Sequence, residues 1–208
     1  IPAIPPAPAT GWWAMAPMFL NETASGFTPR HKRQLLELAG AAIEKALGGG
    51  QLVVRPADYP EPLREPRATF VTLHVDAQLR GCIGTLEARR TLVEDVVHNA
   101  RVAAFEDPRF SPLSLSEFER LDIHISVLSI PEPMQFDSEE DLLRQLRPHV
   151  DGLIIEEGFQ RGTFLPAVWE QLPAPREFLR NLKRKAGLPA DYWSHQIRIR
   201  RYTADSIP

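Results

Sequence analysis

Proline punctuates this chain more heavily than any other residue type constrains it. Twenty prolines stand among 208 residues, about twice the usual share of roughly 5%. Each lacks the backbone N–H that a helix interior or a central strand needs. The chain is therefore cut into many short elements. Apolar residues make up 43% and charged residues 25%, with a formal net charge of −3. That balance offers enough apolar surface to offset ordering entropy, unlike a disordered segment. The length suits one large domain or two small ones sharing a core. No run approaches the roughly 20 apolar residues that span a bilayer. The apolar stretch from Trp12 to Leu20 is broken by Pro17 and has no Lys or Arg before it, so it fails as a signal peptide. A cytoplasmic protein that avoids membranes is expected. Cys82 is the single cysteine, which rules out an internal disulfide and any multi-cysteine zinc site.

Residues 1–27 are rich in proline and apolar side chains, lack Lys and Arg, and begin at Ile1. They read as an N-terminal extension, a processed fragment or the tail of a preceding domain, with residues 28–208 as the folded domain. Trp12 and Trp13 offer apolar area for docking on the body or on a partner. From Pro29 to Leu47 the spacing predicts a helix, capped by Thr28, started by Pro29 and ended by Gly48 to Gly50. Leu35, Leu38, Ala39, Ala42, Ile43, Ala46 and Leu47 make its apolar face. Four prolines between Pro56 and Pro66 predict an irregular loop. Alternation predicts a strand from Ala68 to Val75, with Val71, Leu73 and Val75 opposite Phe70, Thr72 and His74. Thr91 and Glu94 form a capping-box pattern ahead of a helix to about Glu106, and Ser114 with Glu117 repeats it. Leu121 to Ser129 is the clearest strand, with His124 on its polar face. Ser138 starts a short helix, 152–157 is a strand, Gly158 and Gly162 bracket a turn, and 166–172 is a helical turn. A helix over 176–186 and a strand over 196–202 complete the pattern. The links are not those of a doubly wound parallel sheet, so an α+β fold with mixed or antiparallel sheets and flanking helices is expected.

The densest chemical signal is Leu79-Arg80-Gly81-Cys82-Ile83-Gly84. In extended geometry, Arg80 and Cys82 share one face while Leu79 and Ile83 anchor the other in the core. Gly81 and Gly84 leave backbone uncovered beside the sulfur, which suits a bulge or the close approach of a ligand. A thiol is nucleophilic only as thiolate, and a neighbouring cation favours that form; Arg80 is such a cation. The competing reading is a buried cysteine that behaves as a small hydrophobe. His74 and His124 are the available bases for acyl-transfer chemistry, although each also suits a hydrogen-bonded structural role on its strand. His31, His98, His149 and His195 have no ligand-like neighbours in sequence, so no spaced metal motif exists, and neither a tightly bound metal nor an organic cofactor is expected.

Two further segments carry charge. Asp107-Pro108-Arg109-Phe110 begins a proline-stiffened loop in which Phe110 can plug the core. Arg109 can take a carboxylate or phosphate through its forked donors, or pair with Asp107. Adjacent Glu156 and Glu157 point to opposite faces of a strand and are not a working carboxylate pair. Between Arg176 and Arg201 basic residues outnumber acidic ones, and Arg176, Arg180, Lys183 and Arg184 fall on one helical face. That stripe reads as a solvated surface, or as attraction for phosphates or an acidic partner. No nucleic-acid motif accompanies it, and nucleic-acid binding is not expected.

LRGCIG, with DPRFSPL, ISVLSIPEP, GLIIEEG, FLPAVWEQL and KAGLPADYW in this order, resembles the AMMECR-one domain family in its bacterial AmmeMemoRadiSam system protein A form. The resemblance runs over roughly residues 29–205. It implies an α+β protein with a larger and a smaller subdomain around a cleft, and places LRGCIG near that cleft. It suggests a Memo-like protein and a radical-SAM protein as partners and prescribes no reaction. Carried over residue by residue, it marks Arg80, Gly81, Cys82 and Gly84 as site residues, and Asp107, Arg109 and Phe110 as a second group. Some members have a second cysteine where this chain has Lys183, so a two-thiol mechanism is excluded here.

Two functions from different classes follow. One is a cysteine enzyme using Cys82 as nucleophile, Arg80 to favour the thiolate or hold an anionic substrate, and His74 or His124 as base. The other is a binding or adaptor module in which the same cleft, or the basic C-terminal face, receives a small-molecule ligand or a partner segment.

Overall fold

The computed structural model describes residues 26–208. The expected extension, Trp12 and Trp13 included, lies outside the described residues apart from Gly26 and Phe27, and Phe27 packs against the first core. The helices are α1 (Pro29–Leu47), α2 (Glu61–Arg64), α3 (Leu92–Phe105), α4 (Leu115–Phe118), α5 (Glu139–Gln145) and α6 (Pro175–Lys185). The strands are β1 (Thr69–Val75), β2 (Gln78–Gly84), β3 (Leu121–Leu128), β4 (Glu132–Pro133), β5 (Gly152–Glu157), β6 (Gln160–Phe164), β7 (Arg198–Tyr202) and β8 (Ala204–Ile207). They form two four-stranded sheets, ordered β2-β1-β3-β8 and β4-β7-β5-β6. Every strand pairing in both is antiparallel. The fold is α+β, and of the two sheet types expected only the antiparallel one occurs among the described residues. Among the described residues no helix is long and apolar enough to cross a membrane.

Each sheet has its own core. Leu35, Leu38, Ala39, Ala42 and Ile43 of α1 meet Leu92, Val93, Val96 and Ala100 of α3 over Val71, Leu73, Ile125 and Val127 of the first sheet. α6 lays Phe178, Leu179 and Leu182 on Leu153, Ile155 and Ile199 of the second, with Trp169 stacked on Phe178 at a ring separation of 3.8 Å. The chain passes between the sheets twice, from β3 to β4 and from β7 through Thr203 to β8. Ala68, Leu128, Ile154 and Tyr202 bury a third apolar cluster between them. α3 also buries Asp95, whose carboxylate accepts from the Thr69 N–H at 2.9 Å and hydroxyl at 2.8 Å and from Asn99 Nδ2 at 2.9 Å. A charge this deep is tolerated because several donors replace its water. It ties α3 to the start of β1.

Several local expectations need correction. Residues 56–66 contain two helical turns, Pro56–Asp58 and α2, because proline within the first helical turn fixes φ and sacrifices no hydrogen bond. The segment beginning at Gln160 is strand β6 rather than part of a turn, since β5 offers it an unpaired edge. The basic stripe on α6 is not wholly solvated. Lys183 is fully buried with its ammonium 2.9 Å from Glu139, and Arg176 pairs with Glu140, so the acidic first turn of α5 neutralises much of the stripe.

Candidate functional site

β1 and β2 join through Asp76 and Ala77, both at positive φ (51° and 61°). This two-residue turn matches the right-handed twist of the strands it connects. Along the hairpin Leu73 opposes Gly81 but His74 opposes Leu79, so Arg80 is the extra residue of a bulge. The bulge has two consequences. It swings Leu79 to the outer face beside His74, where it is 44% exposed rather than anchored in the core. It also sends the Arg80 side chain away from Cys82, toward α4. There Arg80 Nε donates to Glu117 at 2.7 Å and Nη2 to the Ser111 carbonyl at 2.8 Å. The Arg80 guanidinium holds the Glu117 carboxyl down at about 2, helped by donors from Ser114. The role given to Arg80 from sequence, a cation beside the thiol, is therefore not the one its contacts describe.

Cys82 sits on the outer face of β2 and is partly exposed. Its Sγ is 3.2 Å from the Thr72 hydroxyl, its direct cross-strand neighbour. Its backbone is held from both sides: the N–H donates to Asp107 at 2.9 Å, and Arg109 Nη2 donates to the carbonyl at 3.2 Å. Asp107 and Arg109 are themselves joined by two side-chain bonds, at 3.0 and 2.7 Å. Those bonds, with the N–H groups of Cys82 and Arg109, hold the Asp107 carboxyl far below the usual aspartate range. Phe110 does not plug the core. The Arg80 and Arg109 guanidinium groups both lie over its ring, 5.6 and 5.4 Å from the centre.

The glycines are filled in by the protein itself. A side chain at Gly81 would run into the Ala103 carbonyl of α3, and one at Gly84 into the Phe70 ring. Gly81 thus lets α3 approach β2, and its backbone is covered on that side. Gly84 lines a hollow of about 540 Å³ together with Arg89, Arg90, Arg161 of β6, His98 and Lys185.

Lys185, at the end of α6, is a cation within electrostatic range of the thiol. Its ammonium lies 5.1 Å from the centre of the Phe164 ring and interacts with both Cys82 and Arg109. Burial holds it below the ordinary lysine value, the Cys82 charge opposes that shift, and Arg109 adds to it. His74 and His124 come together, with ring centres 5.2 Å apart, but they do so around Asp122. His124 is separated from Cys82 by the intervening strand β1, where Thr72 pairs with both. Glu156 accepts from Arg161 and Arg200, while Glu157 accepts from Tyr192 and Ser194.

Sequence reasoning passed over Lys185, Thr72 and the hollow, and read Glu117 only as a cap. Strand alternation placed Thr72 on the right face. The strand neighbour that makes it Cys82's partner is a matter of pairing, which alternation does not report.

These features define an α+β protein of two antiparallel sheets with a clamped, partly open cysteine beside a basic hollow. The chain belongs to the AMMECR1 family, whose profile matches residues 36–207. It is 39% identical over 178 residues to a protein of Methanothermobacter thermautotrophicus, covering 83% of this chain and 91% of that one. It is also 39% identical over 166 residues to a Thermotoga maritima protein, covering 78% and 90%. The crystal structure of uncharacterized protein PH0010 from Pyrococcus horikoshii superposes with a TM-score of 0.77 at 37% identity, covering 83% of this chain and 88% of that one.

Proposed function

We propose that the hollow beside Gly84 and Lys185 is the cleft of this protein, and that it binds an anionic ligand and presents it to Cys82 as nucleophile. The observation that carries this reading is the setting of Cys82: a backbone clamped by Asp107 and Arg109, a partly open sulfur, and the Lys185 ammonium close by. Lys185 and Arg109 put positive charge where a thiolate would carry its negative charge. Arg89, Arg90 and Arg161 suit a carboxylate or phosphate, since the forked guanidinium matches both. Arg89 and Arg161 now share Glu87, at 2.6 and 3.2 Å, and an anionic ligand would compete for them. In this reading Lys185 replaces Arg80 as the cation, and Arg80 positions α4. A site that depends on a free thiol fits a reducing, cytoplasmic setting.

The test is alkylation of the folded protein with iodoacetate and with iodoacetamide, which differ in charge. Lys185→Gln should lower the ratio of iodoacetate to iodoacetamide rates severalfold. An unchanged ratio, or a Cys82 inert to both reagents, would overturn the reading.

One observation favours a second reading, a non-catalytic module. Thr72 is the hydrogen-bond partner of the sulfur, and neither histidine stands beside it. In that case the hollow takes an acidic segment of a partner, with the Memo-like and radical-SAM proteins as candidates. Partner capture that survives Cys82→Ser but fails in Arg161→Glu would favour the module.

A further inference from the structure

We propose that His74, Asp122 and His124 form a binding site for a divalent transition-metal ion of the zinc type, on the outer face of the first sheet. The proposal is independent of any role for Cys82. One ligand atom from each residue lies within 4.8 Å of the other two. His74 and Asp122 are direct cross-strand partners, and His124 follows Asp122 by two residues on the same face of β3. The three side chains thus occupy three corners of one cross-strand rectangle, and Thr72, opposite His124, occupies the fourth. β1 is paired on both sides at His74, with Leu79 of β2 and Asp122 of β3, and β3 is held by β1 at Asp122 and His124. Strand pairing thus fixes the backbone positions from which the three donors reach, and only side-chain rotation is left to bring them together.

The donor set has the right chemistry. Two borderline imidazoles with one harder carboxylate make a donor set that zinc and its first-row neighbours accept, and three protein ligands leave positions open for water or substrate. The site is also reachable, with the His124 and Asp122 side chains 36% and 68% exposed. Tetrahedral zinc with bonds of about 2.0–2.1 Å sets its ligands roughly 3.4 Å apart. Side-chain rotation has to draw in the widest pair and open the 2.7 Å contact between His124 Nε2 and Asp122. Binding exchanges that hydrogen bond for two metal bonds and releases any proton held there. Chain spacing concealed this cluster because His74 and its two partners come from strands far apart in sequence.

The experiment is calorimetric titration of untagged, chelator-treated protein with Zn²⁺, with Co²⁺ absorption as a second readout. One ion per chain is expected, with affinity falling at least tenfold in His74→Asn and in His124→Asn and retained in Cys82→Ser. Should a histidine variant fail to fold, the ring-proton NMR signals of His74 and His124 in the wild-type protein decide the matter, since both must shift on adding Zn²⁺. Absence of saturable binding, unchanged affinity in the folded histidine variants, loss of binding in Cys82→Ser, or ring signals that do not respond would each overturn the site.

Discussion

On β1 and β3, Val71, Leu73, Ile125 and Val127 turn toward α1 and α3 and are buried, while Thr72, His74, Asp122 and His124 turn the other way. Alternate residues of the same strands therefore build two unlike surfaces. The inner face is settled by area removed from water, which is non-directional and tolerates many apolar sequences. The outer face is settled by specific polar pairs: Cys82 with Thr72, His124 with Asp122, and Asp107 with Arg109 behind them. The difference teaches where stability and chemistry separate in this fold. Substitutions on the inner face should act chiefly on how tightly the chain folds, and those on the outer face should cost less stability and change what the folded chain does.

The strongest way to break that comparison is Ile125→Ala. Ile125 is fully buried against the α1 and α3 side chains, and truncation there should destabilise the protein by about 2–5 kcal/mol through lost transfer energy and a residual cavity. Urea unfolding measures it. A change below about 1 kcal/mol would mean that the inner face is not the principal core.

The acidic clamps give a smaller effect with a distinctive pH signature. Replacing Asp107 by Asn weakens its bonds to Arg109 and to the Cys82 N–H and should cost about 1–3 kcal/mol. Both clamp carboxyls titrate lower in the folded protein than their ordinary values, 4.5 for Glu117 and 3.8 for Asp107. The unfolded chain takes up protons first on acidification, so these groups stabilise the fold fully above those ordinary values. Their contribution is lost as pH falls through 4.5 toward the Glu117 value of about 2 and beyond. Chemical unfolding measured across this range should show the decline in the wild-type protein and a flatter curve in the Asp107→Asn, Glu117→Gln double variant. Parallel curves would show that the clamps do not couple to folding.

How much of this was legible follows the same division. The apolar faces of α1, α3 and α6 and the alternation of β1 and β3 come directly from periodicity, because burial imposes a period that a single segment reveals. The capping pairs Thr91 with Glu94 and Ser114 with Glu117 are also local and hold in the structure. The remainder depends on pairing between distant segments. Lys183 and Lys185 are two residues apart on one helix, yet Lys183 is buried against Glu139 of α5 while Lys185 lies over the Phe164 ring, within electrostatic range of Cys82. Nothing in the basic run distinguishes them. The Arg80 bulge likewise cannot be read from LRGCIG alone, because it exists only relative to the register of β1.

The smallest expected effect comes from the turn that sets this register. A two-residue hairpin turn of this kind ordinarily signals itself by glycine, and Asp76-Ala77 does not, so the pairing of β1 with β2 was hidden from sequence. Ala77 has φ of 61°, a conformation that costs a residue with a Cβ roughly 1–2 kcal/mol. Glycine removes that strain but adds about 0.5–1 kcal/mol of unfolded-state entropy to be lost. Ala77→Gly should therefore stabilise the protein by about 0.5 kcal/mol, seen as a small rise in Tm. The alkylation rate of Cys82 should not change, because a register kept by Asp76 and glycine leaves Gly81 facing α3 and Cys82 facing outward. A one-residue slip would exchange those faces, so a substitution that alters that rate would show that the turn does not hold the two surfaces apart.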